Sequence, residues 1–207
     1  SGEAKKILVV GADVLSRVAD PHDRDSMIYA DGAGAAVMEA RESDEPVGIM
    51  GHNSRSDALD YVNMLHMGYS YNPALAEKKD YYLKMNGRRL YQYALENVPK
   101  AIKAGLDKLQ LHINQISKVL IHQANGKMDD AILSRLFKLY NMKDMPESIM
   151  PMTISWLGNS SVATVPTLLD LVTRRKMDGH DLKSGDNIVL ASVGAGMNIN
   201  SIVYRIP

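Results

Sequence analysis

Short continuous apolar runs alternate along the chain with stretches in which apolar residues recur every third or fourth position. Lys6-Ile7-Leu8-Val9-Val10-Gly11 reads as a buried strand. A second strand is predicted through Met27–Tyr29, resuming as Ala35-Ala36-Val37-Met38 after a turn or bulge at Asp31-Gly32-Ala33-Gly34, where small residues also allow close backbone packing. Val47–Met50 reads as a short strand, and residues 51–83, polar and tyrosine-rich, as an excursion with little regular structure. From Asn86 the period becomes helical, with Leu90, Ala94, Val98 and Ile102 on one face. Pro99 lies inside that pattern, so either the helix kinks there or a second one begins. The strand Val119–Ile121 then leads through His122-Gln123-Ala124-Asn125 into a helix burying Met128, Ile132, Leu136 and Leu139 or Tyr140. After the apolar stretch Ile149–Leu157 and Gly158-Asn159, a third helix carries Val162, Val165, Leu169 and Val172. Two strands, Asn187–Val193 and Ile199–Ile206, close the chain around Gly194-Ala195-Gly196.

Strands alternating with helices argue for an α/β fold. Lys6–Ala12 resembles Asn187–Ala195, and in both places a glycine turn and another apolar strand follow, the pattern that two copies of one unit would leave. With 207 residues and 45% hydrophobic content the chain is long enough for one large or two small domains. It enters its first core strand within a few residues of Ser1, as a segment of a longer protein would. Lys and Arg (24) balance Asp and Glu (24), which gives no charge-based reason to expect nucleic acid or anionic lipid as partners. No apolar stretch is long enough for a membrane span. There is no cysteine, so this chain supplies neither a disulfide, a thiolate metal ligand nor a cysteine nucleophile.

The glycines after the first strand lack the G-x-G-x-x-G spacing of a dinucleotide site, and no P-loop, H-E-x-x-H or G-x-S-x-G sequence occurs. His122 stands at the C-terminal end of an apolar strand, where α/β sheets place ligand-contacting groups, or else serves as a structural hydrogen-bonder. Asn159 reads as a turn or capping residue or as a site residue. Gly194-Ala195-Gly196 is a tight connection that also has backbone N–H groups to offer an oxyanion.

Taken together, His122-Gln123-Ala124-Asn125 and Leu157-Gly158-Asn159-Ser160-Ser161-Val162-Ala163-Thr164 resemble the catalytic motifs of β-ketoacyl-acyl-carrier-protein synthase III, a condensing-enzyme family of the thiolase superfamily. Val10–Arg17, Asp31–Val37 and Val193–Arg205 are similar to the same family and occur in its order. The resemblance implies a thiolase-like αβαβα fold of two duplicated halves, here truncated to the end of the first half plus most of the second. Residues 1–46 would be the final strands of the first half, 47–85 a connecting excursion and 86–207 the second half. It further implies a cytoplasmic homodimer, with acyl-coenzyme A and malonyl-acyl-carrier protein as partners and neither cofactor nor metal. The family's nucleophilic cysteine lies upstream of the matching region, so the chain alone is expected to be inactive.

By the same resemblance His122 and Asn159 are the catalytic histidine and asparagine, two neutral donors for the enolate oxygen that forms as malonyl thioester loses carbon dioxide. Gly196 matches a glycine whose backbone N–H contributes to a second oxyanion hole. Lys127 stands where the family often has arginine, near the mouth used by coenzyme A and the carrier protein, although Asp129 and Asp130 follow immediately. Ala30, Gly126, Ala195 and Met197–Asn200 depart from the family's usual residues, which suits a specialised synthase. The alternative is a non-catalytic interaction subunit of a condensing-enzyme complex.

Overall fold

The computed structural model describes residues 3–78 and 80–207. Ser1 and Gly2, at the head of segment 1–46, and position 79 in the expected excursion lie outside the described residues. A four-stranded mixed sheet in the order β3 (Gly48–Ser56), β8 (Asn198–Arg205), β7 (Asn187–Gly194), β6 (Ile116–Ile121) forms the centre. β6 and β7 run parallel, and the other pairs are antiparallel. Period-two alternation sends Val119, Ile121, Val189, Ala191, Ile199 and Val203 to one face, against α2 (Gly87–Lys108) and α3 (Gly126–Lys138). Leu120 and Ile188 face the other side, where Leu168 of α5 (Thr164–Thr173) covers them. Both faces of β6 are therefore covered, which is why its end, Val119–Ile121, reads as an unbroken apolar run.

α2 buries Ala94, Val98, Ile102 and Leu106 and continues unbroken through Pro99, so no second helix begins there. Asn125 caps α3 by accepting the N–H groups of Lys127 and Met128. The buried stripe of α3 includes Met128, Ile132 and Leu136 and is widened by Leu133 and Phe137. α5 departs from expectation. It buries Thr164, Leu168 and Val172, while Val162 lies before it in a 3-10 turn and is itself exposed. Ile154–Leu157, read only as apolar, is the one-turn helix α4.

On the far side of α5 lies a hairpin of β1 (Lys6–Asp13) and β2 (Gly32–Glu39), so helix pair, sheet, helix and hairpin stack as four layers. The internal echo has a structural counterpart, since β1–β2 and β7–β8 are both antiparallel ladders of eight paired positions. Two expectations fail here. The Met27–Tyr29 strand is replaced by a 3-10 segment, Arg24–Ile28, capped by Asp23, and β2 runs straight through Gly32 and Gly34 without a turn. The glycines provide space instead. A Cβ at Gly32 would lie 2.8 Å from Ser160 Cβ, one at Gly34 2.7 Å from Pro166 Cγ, and one at Gly11 2.8 Å from the Val162 carbonyl oxygen.

The burial expected of residues 6–11 is also overturned, with Leu8 65% and Val10 59% exposed. Only one face of the hairpin is applied to α5 and the segment before it. Its outer face, where a fifth layer would lie, presents Leu8, Val10, Ala12, Ala33, Ala35 and Val37.

Residues 51–83 are more ordered than their polarity suggests. β3 extends to Ser56 and pairs along β8, followed by α1 (Ala58–Tyr61) and the ribbon of β4 (Leu65–Gly68) and β5 (Tyr82–Met85). A buried ion pair ties this ribbon to the β1–β2 connection. Lys84 Nζ lies 2.5 Å from Asp20 Oδ2 and 3.6 Å from Asp23 Oδ2, and 3.6 Å above the Tyr71 ring. Asp20, fully buried, also accepts from the N–H groups of His22 and Tyr71 and from the Ser70 hydroxyl. Burial alone would raise its pKa, but Lys84 and the other donors more than reverse this and hold the carboxyl far below the usual range. Asp20→Asn should therefore cost about 3 kcal/mol in denaturant unfolding, because Lys84 keeps only the more distant Asp23. The contribution of Asp20 is complete above the ordinary carboxylate range and is lost only as pH falls below it.

The outer hairpin face should drive self-association. Sedimentation of the 207-residue chain should show oligomers that a Leu8→Ser, Val10→Ser, Val37→Ser variant no longer forms.

Candidate functional site

The turn His122-Gln123-Ala124-Asn125 leaves β6 at its C-terminal end, and its four side chains have separate tasks. Gln123, fully buried, donates from Nε2 to the Pro151 carbonyl at 2.7 Å and accepts from the N–H groups of Thr153 (2.8 Å) and Ile154 (3.1 Å). That pins the turn to the segment before α4. Asn125 caps α3, Ala124 lines a cavity, and His122 lines the same cavity with its backbone N–H bound to the Ala191 carbonyl of β7.

Asn159 reaches the cavity from another direction. Its N–H donates to the Ile28 carbonyl at 2.9 Å and its own carbonyl accepts from Ala30 at 2.8 Å, a short parallel bridge around Tyr29. Gly158, at φ +68, turns the chain into this bridge, and a Cβ there would approach Ala30 Cβ to 2.9 Å.

Ser161 joins the two candidates. Its N–H donates to Asn159 Oδ1 at 3.0 Å, and its carbonyl oxygen lies 3.2 Å from His122 Nδ1. A carbonyl only accepts, so Nδ1 carries a proton and Nε2 is left for the cavity. The Asn159 oxygen is likewise occupied, which leaves its NH₂ as the group able to donate. Ser161 holds φ 52, a left-handed conformation that costs a non-glycine residue about 1 kcal/mol or more. Burial lowers the His122 pKa and the Ser161 carbonyl only partly opposes this, so the resting ring is neutral near pH 7. The expectation of a neutral imidazole N–H donor is thereby modified, because in this tautomer Nε2 presents a lone pair and donates only once the ring is protonated.

The cavity, of about 550 Å³, contains His122, Asn159, Gly194 and Ala195 in its lining. One wall is apolar: Leu65, Leu83 and Met85 of the β4–β5 ribbon with Leu90 and Met128. The ribbon's share of this wall comes from a stretch that sequence patterning left with little regular structure, because a two-stranded ribbon of four-residue strands has too few positions to show alternation. Gly196 is not in the lining, although its neighbours Ala195 and Met197 are. Lys127 is exposed on the first turn of α3 and also lies outside the lining. Of the two acidic neighbours that seemed to oppose it, Asp129 is fully buried and its carboxyl is pushed up to about 8 by burial, while Asp130 is exposed. Ser161 and Tyr29 were missed. For Ser161 the available signal was its place two residues after Asn159, where an Asn side chain closes a turn on the backbone.

Comparison with known proteins identifies the family. The family described as 3-oxoacyl-[acyl-carrier-protein (ACP)] synthase III matches residues 1–58, and its C-terminal part matches residues 106–206. The β-ketoacyl-[acyl-carrier-protein] synthase III of Acaryochloris marina is 33% identical over 211 residues, covering 99% of this chain. The chain belongs to the 3-oxoacyl-(acyl carrier protein) synthase III family.

The chain spans 60% of the length of the A. marina relative. The crystal structure of 3-oxoacyl-(acyl carrier protein) synthase III from Pseudomonas aeruginosa superposes with TM-score 0.82 at 26% identity, covering 100% of this chain and 59% of that one. A priming β-ketosynthase of a polyketide biosynthetic pathway gives TM-score 0.81 at 28% identity, with the same coverage. The thiolase-like fold is thus established, and the four stacked layers are the part of it that these residues build.

Titration of His122 followed by NMR should give a midpoint below the ordinary imidazole value. Since the folded state favours the neutral ring, the contribution of His122 to stability should be complete above the ordinary imidazole range and decline as pH falls through it.

Proposed function

We propose that this chain carries the decarboxylating half of a condensing acyltransferase, which joins an acyl group to malonyl-acyl-carrier protein by Claisen condensation. The reading is supported above all by one observation: His122 and Asn159, from separate segments, line one cavity and are both oriented by the peptide groups of Ser161. The acyl group would sit on a cysteine supplied from outside these 207 residues, because the chain has none.

The reaction follows from the donors. A malonyl thioester brings its own carboxylate, whose negative charge raises the His122 pKa against the effect of burial and favours the imidazolium. Nε2–H and the Asn159 NH₂ then both point at the thioester oxygen. Cleavage of the C–C bond releases carbon dioxide, and the electron pair moves onto that oxygen as an enolate. Donors already in place stabilise it without reorganisation, worth ~3 kcal/mol for one such group. The enolate carbon attacks the acyl thioester, whose carbonyl oxygen becomes a second oxyanion beside Gly196, and the cysteine leaves as thiolate.

In the protein with its cysteine present, His122→Ala and Asn159→Ala should each slow malonyl decarboxylation by about a hundredfold or more while acyl transfer from acyl-coenzyme A stays within a few-fold. Decarboxylation should also decline as pH rises through the substrate-bound His122 pKa. Radiolabelled carbon dioxide release and acyl-adduct mass report the two steps separately. Equal loss of both would defeat the assignment.

A further inference from the structure

The connection between β7 and β8 holds two consecutive residues in the left-handed region, Gly196 at φ 73 and Met197 at φ 50. A buried methionine has no intrinsic reason to adopt that conformation, so contacts around it must impose it. Two side chains, Asn198 and Tyr93, and one backbone N–H, that of Asp57, do so. Asn198 Nδ2 donates to the Ala195 carbonyl at 2.8 Å. The Met197 carbonyl accepts from the Asp57 N–H at 3.2 Å and lies 3.2 Å from the Tyr93 hydroxyl. The Tyr93 hydroxyl also donates to Asp57 Oδ2 at 2.7 Å, and Arg55 grips the same carboxylate through Nε (3.0 Å to Oδ1) and Nη2 (2.7 Å to Oδ2).

Strand register explains why these groups meet. Ser56, the last residue of β3, pairs with Asn198, the first of β8, so the next N–H along β3, that of Asp57, falls opposite Met197. The Ala195 carbonyl and the Gly196 N–H are opposite ends of one planar trans peptide. Holding the carbonyl toward Asn198 therefore fixes the N–H in the reverse direction. A Cβ at Gly196 would sit 2.8 Å from Asn198 Nδ2, so the grip itself requires glycine there.

We propose that Asn198, seconded by Asp57 and Tyr93, is the positioning unit that aims the Gly196 N–H at the oxyanion of the acyl thioester. The inference rests on the condensing reading above and assigns an acyl-transfer role to residues outside the His122–Asn159 pair. Asn198 acts through the Ala195–Gly196 peptide itself, and Asp57 and Tyr93 act through the Met197–Asn198 peptide, two planes further on.

Two measurements test it. In the protein with its cysteine, Asn198→Ala and Asn198→Asp, which both remove the donor, should slow cysteine acylation from acyl-coenzyme A by 10- to 100-fold with KM little changed. Malonyl decarboxylation should stay within threefold, and Asn198→Gln, which keeps the carboxamide, should recover most of the lost rate. Separately, residue-resolved amide exchange at Asp57, whose N–H is held by the Met197 carbonyl, should accelerate at least tenfold in Tyr93→Phe. Unchanged acylation, equal loss of both chemical steps, or unchanged Asp57 exchange would each overturn the proposal. Absence of acylation in the unsubstituted protein would instead overturn the condensing reading, while the exchange measurement would still decide whether the clamp exists.

Discussion

Gly11, Gly32 and Gly34 admit no side chain, because the backbone and side chains of residues 160–166 already occupy the space a Cβ would need. This contact lets the segment after α4 lie directly on the β1–β2 hairpin. Asn159 then joins the bridge at Tyr29, and Ser161 reaches His122 at the end of β6. A single added methyl at Gly32 would push on Ser160, the residue between Asn159 and Ser161. The arrangement of the cavity thus depends on a close approach made at positions outside its lining.

The polar groups around the cavity are organised by carbonyls and N–H groups more than by other side chains. Ser161 orients both His122 and Asn159, Gln123 holds the turn that carries His122, and Asn198 holds the peptide before Gly196. Peptide groups cannot change rotamer, so a side chain referred to them keeps its direction. Three left-handed residues, Ser161, Gly196 and Met197, provide the unusual peptide directions this needs.

The strands at 6–11, 119–121 and 187–206 and the helix at 86–102 were legible because each carries many residues of one period. The His122 and Asn159 motifs were legible because chemistry restricts both residue type and neighbours. The β4–β5 ribbon was not, since its positions are few and its stability comes from Asp20, more than sixty residues away from Lys84. The glycines of β2 were read both as a turn or bulge and as room for close packing, and only the second holds, because composition cannot distinguish a glycine that bends the chain from one that makes room for another segment. The exposure of β1 escaped for a related reason. An apolar run records which surfaces want cover, and says nothing of whether the same polypeptide supplies it.

The Asp20–Lys84 pair also orders events in time. Its partners are separated by 64 residues, and Asp20 gathers further donors from positions 70 and 71. Until the ribbon has formed, the carboxylate has only the backbone of His22 to satisfy it and stays in water. The connection between β1 and β2 therefore settles late, after a contact with a large loop-closure cost. A growing polypeptide would carry the connection between β1 and β2 as an open loop until β5 arrives to close it.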